Sequence, residues 1–130
     1  MASIFTKIIN REIPAHIVAE NDMAIAFMDI RPLQKGHTLI VPKVEVDKLF
    51  DLPSDVYIAL WSFAANVARA IEKTVPCNRV GVTVYGLEVP HAHIHLIPIQ
   101  REGDMDFSKP MTNVDNDELA GLASNIAKAL

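Results

Sequence analysis

The sequence predicts an α+β fold built on a five-stranded, mainly antiparallel sheet, with one long helix, a short N-terminal helix and a C-terminal helix. Three observations lead there. Short apolar runs of strand length recur along the chain, separated by turn residues. One stretch, 54–73, carries apolar residues at helical spacing for about five turns. The elements follow in the order α-β-β-β-α-β-β-α, which fits strands in one sheet with helices packed on it. A length of 130 residues suits one domain, 1–130, around one core.

Residues 3–10 place Ile4, Phe5, Ile8 and Ile9 on one helical face. Glu20-Asn21-Asp22-Met23 divides two apolar runs, 16–20 and 23–30, and Asn-Asp at its centre predicts a hairpin turn. On the second strand Met23, Ile25, Phe27 and Asp29 share a face. A third strand runs over about 37–42 and stops near Pro42. The helix over 54–73 has Pro53-Ser54-Asp55 as its N-cap region and Val56, Leu60, Phe63, Val67, Ala70 and Ile71 as its stripe, and Pro76 prevents its continuation. Val80, Val82 and Val84 alternate with other residues over 79–85, as in a strand. A last helix starts near Asp115, with Glu118 placed for a capping box and Leu119, Leu122, Ala123, Ile126 and Leu130 as its stripe.

Composition narrows the function. Half the residues are hydrophobic, 22% are charged, and the net charge is −4 with no Lys/Arg-rich run. A polynucleotide groove needs a positive field, so no polynucleotide partner is expected. No apolar run approaches the roughly 20 residues that cross a bilayer, and Lys7, Arg11 and Glu12 interrupt any signal-peptide core. Cys77 is the single cysteine, so no internal disulfide can form and a reducing cytoplasm is the expected location.

The segment Pro90-His91-Ala92-His93-Ile94-His95-Leu96-Ile97-Pro98 is the most informative. Three of the five histidines stand at i, i+2 and i+4. On a strand they would share one face, with Ala92, Ile94 and Leu96 turned to the core, whereas a helix would spread i and i+2 by about 200°. Three such rings can ligate a metal, carry out phosphate chemistry, or merely form a solvated polar face. For phosphate chemistry the central ring has a neighbour on each side, so His93 is the nucleophile candidate.

The run Gly86 to Pro98, with His-x-His-x-His followed by apolar residues, resembles the signature of the histidine triad (HIT) family of nucleotide-binding hydrolases and transferases. Ser3 through Asp29-Ile30 and Gly36-His37-Thr38-Leu39-Ile40-Val41-Pro42-Lys43 resemble the family in the same order, so the likeness covers about residues 3–99. The start of the chain is most similar to the Hint branch. The resemblance implies the HIT fold, usually paired in a homodimer, here through the 54–73 helix or the strand near 79–85.

It also implies roles. His93 would be transiently nucleotidylated, His95 would contact phosphate oxygens, His91 would support the site, and His37 would be a further active-site histidine. Asp29 would accept hydrogen bonds from both ribose hydroxyls; the alternative for Asp29 is a turn-initiating carboxylate before Ile30-Arg31-Pro32. Ile4, Phe5, Ile8, Ile13, Phe27, Ile30 and Val89 match the nucleotide-binding positions, and several would serve equally as core.

Two departures stand out. Where many relatives carry Cys-x-x-Cys, this chain has Ser3 and Thr6, so a cysteine–histidine zinc site is not available and catalysis without metal or other cofactor is expected. Where Hint-type proteins have Gln and a proton-donating Ser, this chain has Leu87 and Glu88. Glu88 could act as the general acid instead, or be a solvated loop residue. The implied activity is hydrolysis of a purine nucleotide phosphoramidate of the AMP or GMP class. The alternatives are Fhit-like hydrolysis of dinucleoside polyphosphates, a non-catalytic nucleotide-binding or interaction module, and a metalloprotein.

Overall fold

The computed structural model describes residues 2–130; Met1 lies outside them. Five strands form one sheet in the order β1-β2-β3-β5-β4, and each neighbouring pair is antiparallel. They are β1 (Ile17–Glu20), β2 (Ala24–Met28), β3 (Thr38–Pro42), β4 (Arg79–Thr83) and β5 (Ile94–Ile99). The helices are α1 (Ile4–Ile9), α2 (Ser54–Thr74) and α3 (Asn116–Lys128), with 3₁₀ turns at Leu49–Asp51 and Glu102–Met105 that the sequence pattern does not announce.

The β1–β2 hairpin follows from Asn21. Its side-chain oxygen accepts from the backbone N–H groups of Met23 and Ala24, and its own N–H donates to the Ala24 carbonyl. β2 and β3 are buried along their whole length, because both faces of the sheet are covered. On one face Ala24, Ala26, Met28, Ile40, Ile94 and Leu96 pack with Leu60, Val67 and Ile71 of α2 and Leu119 and Ile126 of α3. On the other, Ile25, Phe27, Leu39 and Val41 pack under Phe5 and Ile8 of α1. Each such large side chain taken from water contributes roughly 1.5–3 kcal/mol.

Helix α2 begins at Ser54, where the sequence places it, but without a side-chain cap; Pro53 is the N-cap. Val75 is extended, as a residue before a proline prefers, and the helix stops there. Asp115 does cap α3, its Oδ1 accepting from the Glu118 N–H at 2.8 Å. Leu130 falls outside the α3 stripe: it lies beyond the helix and is 57% exposed.

Candidate active site

The triad does not lie on one strand. Only His95 belongs to β5; His91 and His93 sit in the segment leading into it. The β3–β5 register pairs Ile40 with Ile94 and, continued past Val41 and His93, would bring Pro42 opposite Ala92. Proline has no N–H to donate, so the ladder ends. The freed backbone turns instead, with His91 N–H on the Val89 carbonyl and Ala92 N–H on the Val46 carbonyl. Ala92, Ile94 and Leu96 nevertheless enter the core as the alternation predicts.

Backbone contacts fix the state of each ring. His93 Nδ1 lies 2.8 Å from the His91 carbonyl, so Nδ1–H donates and Nε2 keeps its lone pair. His91 Nε2–H donates to the Pro42 carbonyl at 2.8 Å, so its Nδ1 must accept, and the Ser3 hydroxyl donates to it at 2.7 Å. The Leu33 N–H donates to His37 Nδ1 at 3.1 Å, so His37 carries its proton on Nε2 and donates to His95 Nδ1 at 3.0 Å. His95 therefore bears its own proton on Nε2. Burial pushes the pKa values of both His37 and His95 down to about 3, with neighbouring imidazoles adding to the fall. Both rings are neutral at pH 7, and His95 offers an N–H dipole rather than a charge. Burial also lowers the pKa of His93, against a smaller opposing effect of its bond to the His91 carbonyl. The His93 ring is thus the free base at neutral pH.

His37 occupies its place because of Gly36. That residue has φ of +99°, and a Cβ there would come within 3.0 Å of Pro98 and 3.1 Å of Val75. Only glycine lets the chain turn so sharply into β3. Asp29 follows β2 directly, its N–H donating to the His37 carbonyl. Its Oδ1 accepts from the Arg31 N–H at 2.9 Å, as a turn-initiating carboxylate does, while Oδ2 stands 3.5 Å from His37 Nε2. The turn-initiating reading of Asp29 is therefore seen in its geometry, and Oδ2 faces the histidine cluster.

A cavity of about 310 Å³ brings Asp29, His93, His95 and Glu88 together with Leu87, Arg31, Tyr85, Phe107 and Met111. Glu88 and Leu87 are exposed at its edge. The candidate nucleotide-binding apolar residues are dispersed. Phe5, Ile8 and Phe27 are closed in the core under α1, with Ile13 and Val89 packed at its margin. Phe5 also meets His93 edge-on at 4.9 Å between centroids. Ile4 and Ile30 are exposed, at 49% and 69%, and do not line the cavity.

Sequence reasoning missed two groups. Glu45 receives the Ser3 N–H at 2.7 Å and the Thr6 hydroxyl at 2.6 Å on one oxygen, tying the start of α1 to the segment after β3. Its only signal is its place shortly after the Gly36–Lys43 motif. Phe107 and Met111 come from a stretch with no apolar period, so nothing in the pattern points to them.

Two clusters invite a metal, and neither fits one. Around His91, Ser3 and Thr6 offer neutral hydroxyls that already bond within the protein. Zinc prefers thiolate, imidazole and carboxylate donors. Asp29, His37 and His95 place ligand atoms within 4.8 Å of one another. Yet the Leu33 N–H on Nδ1 puts the His37 proton on Nε2, the atom facing the other two.

Comparisons with known proteins identify the family. The HIT domain profile matches residues 10–102. The chain belongs to the HIT family. An uncharacterized HIT-like protein of Methanocaldococcus jannaschii is 39% identical over 89% of this chain and 94% of its own length. The adenosine 5'-monophosphoramidase HNT1 of Saccharomyces cerevisiae is 34% identical over 99% of this chain and 83% of its own. The crystal structure of a HIT-like protein of Bartonella henselae involved in cell-cycle regulation, with an unknown ligand, superposes with a TM-score of 0.85 at 31% identity. That match covers 98% of this chain and 96% of the other. As a HIT protein, the chain has the five-stranded antiparallel α+β architecture that its sequence predicts.

Proposed function

We propose that this HIT protein is a purine nucleotide phosphoramidate hydrolase working through a covalent histidine intermediate. The observation that carries the reading is the His93 ring, whose Nδ1–H is held by the His91 carbonyl while Nε2 stays free beside His95 and Asp29. The Nε2 lone pair attacks the α-phosphorus and the P–N bond breaks. The departing nitrogen takes a proton, from Glu88 in this reading, and leaves as an amine. Water then attacks the phosphorus and gives a proton to the Glu88 carboxylate, the P–Nε2 bond breaks, and the nucleoside monophosphate leaves. His95 Nε2–H supports a phosphate oxygen, and Asp29 Oδ2 accepts from the ribose. The monophosphoramidase name of the yeast relative supports this substrate class. A polyphosphate chain would call for several cations, and Arg31 is the one cationic side chain lining the cavity among the described residues. That weighs against the dinucleoside polyphosphate alternative.

The same reading treats residues 1–130 as one HIT domain that pairs as a homodimer in the cytoplasm. Strand β4 is a sheet edge, and exposed edges are usually covered. Beside it Phe50, Tyr57, Trp61 and Val82 line an apolar groove in which the buried Trp61 Nε1 has no hydrogen-bond partner among the described residues. The half-buried lone thiol of Cys77, held above its ordinary pKa by burial, suits a reducing compartment.

Incubation with a panel of AMP amides, followed by mass spectrometry, tests the function. The expected products are AMP, the free amine and an adduct on His93. His93→Ala should lose at least 100-fold in kcat/KM while still binding nucleotide. A variant that keeps more than about a hundredth of the activity removes His93 as the nucleophile.

A further inference from the structure

The stretch after the second 3₁₀ turn reaches back to the loop between β2 and β3, and Thr112 makes the contact twice. Its backbone N–H donates to the Pro32 carbonyl at 2.8 Å. Its hydroxyl donates to the Leu33 carbonyl at 2.7 Å, across 79 residues of chain. The Pro32 carbonyl and the Leu33 N–H belong to one trans peptide plane, so they point in opposite directions. Holding that carbonyl on Thr112 aims the N–H the other way, and there it donates to His37 Nδ1 at 3.1 Å. The Thr112 hydroxyl fixes the next peptide plane, so Leu33 is clamped on both sides. Leu33 and His37 are both buried. A Leu33 N–H turned aside would leave His37 Nδ1 without a partner, which is costly in a buried ring.

His37 and His95 form a short proton chain that has two senses. With the Leu33 N–H on His37 Nδ1, the His37 proton sits on Nε2, His95 Nδ1 accepts it at 3.0 Å, and His95 keeps an N–H at Nε2. In the reverse sense His37 carries its proton on Nδ1, His95 donates from its own Nδ1, and His95 Nε2 becomes a bare lone pair. An N–H binds a phosphate oxygen, whereas a lone pair repels it. Asp29 Oδ2, 3.5 Å from His37 Nε2, favours the first sense from the other side. We propose that Thr112 is a positioning residue for the transfer: by clamping the Pro32–Leu33 peptide it keeps the His37–His95 pair in the sense that presents an N–H to the phosphate. Its effect on turnover rests on the phosphoramidate reading; its effect on the proton order of the two rings does not. Removing a donor of this kind outright costs about 100- to 1000-fold in kcat, and a partial loss of order costs less.

Heteronuclear NMR of protein labelled in its histidine ring nitrogens shows which nitrogen of each ring carries the proton. The wild type should carry it on Nε2 in both His37 and His95. Thr112→Val keeps the shape of the side chain and removes the hydroxyl. It should move both rings together towards the Nδ1–H form and lower kcat for an AMP amide by about tenfold, with KM within about twofold. Thr112→Ser, which restores the hydroxyl, should return both readings to those of the wild type. Urea midpoints are measured alongside. A Thr112→Val protein that keeps the wild-type proton order or the wild-type kcat overturns the role whatever its stability, and a loss of stability alone makes the contact a brace. A wild type with the proton on Nδ1 of either ring, or a Thr112→Ser protein that behaves as Thr112→Val does, overturns it too. If the wild type hydrolyses no AMP amide, the phosphoramidase reading fails, and the role of Thr112 stands or falls on the ring spectra alone.

Discussion

The Ser3 hydroxyl reaches the His91 ring at 2.7 Å, Oγ to Nδ1, across 88 residues of chain. His91 is fully buried and its Nε2–H is committed to the Pro42 carbonyl, so Ser3 satisfies the only lone pair that remains. The same hydroxyl accepts from the Thr6 N–H at the start of α1. The His91 carbonyl then holds His93. Ser3 therefore acts on the His93 ring at two removes, as a positioning residue.

Ser3→Ala should lower stability by about 1–3 kcal/mol, because it leaves a buried acceptor unpaired and removes a helix cap. It should lower kcat more than it raises KM, since the His93 orientation matters most at the transition state. Denaturant midpoints and steady-state kinetics read both. A variant as stable and as fast as the parent would show that the bond positions nothing.

Activity should survive removal of metal. The donors around His91 and the proton on His37 Nε2 suit hydrogen bonds better than a cation. Dialysis against a strong chelator should leave the rate of AMP amide hydrolysis within about twofold. A large loss that zinc restores would revive a metal role.

Much of this site was legible in the sequence. The i, i+2, i+4 spacing of His91, His93 and His95 announced chemistry, and the alternation correctly sent Ala92, Ile94 and Leu96 to the core. Pro42 broke the simple picture. A proline at the end of β3 is readable, but its place opposite Ala92 depends on a pairing register that one strand cannot reveal. The tautomers were hidden for the same reason, since they depend on carbonyls and amides 42, 33 and 91 brought together by the fold. Ser3 was noticed as a missing cysteine, yet its partner Glu45 lies 42 residues away with no local pattern to mark it. Phe107 left no periodic trace at all.

Stability should fall as pH drops below about 6.5. His37 and His95 are neutral when folded, with pKa values near 3, and gain a proton near 6.5 when unfolded. Between these values the unfolded chain binds more protons, so each ring weakens the fold by about 1.4 kcal/mol per pH unit of acidification. Above 6.5 this contribution is complete and flat. Urea unfolding across pH 4–7.5 checks it. A His95→Gln variant should show a shallower slope, and a parent with no slope below 6.5 would mean that the rings already accept protons in the folded state.

Light scattering at micromolar concentration should give about twice the 14.4 kDa chain mass. Placing a charge on the exposed β4 edge, as in Val82→Glu, should shift the protein towards monomer. A parent that runs as a 14.4 kDa species would refute the pairing, and a dimer lost on dilution would mark the interface as weak.

Glu88 should govern leaving-group choice more than nucleotide recognition. It stands in the loop three residues before His91, lines the cavity with His93 and His95, and is exposed enough to exchange protons with solvent. An amine leaving from phosphorus needs a proton on nitrogen as the P–N bond breaks, whereas fluoride or nitrophenolate needs none. If Glu88 supplies that proton, Glu88→Gln should slow AMP amides of alkyl amines by about 100-fold or more, the usual range for general acid catalysis. The fluoride and nitrophenyl esters should keep rates within a few-fold. The limb of the pH–rate profile on which amide hydrolysis falls with rising pH should move or vanish in the variant. Equal losses on both classes would make Glu88 a binding contact or a brace for the loop. Unchanged rates with an unchanged profile would leave it a solvated residue, and the proton would then have to come from water.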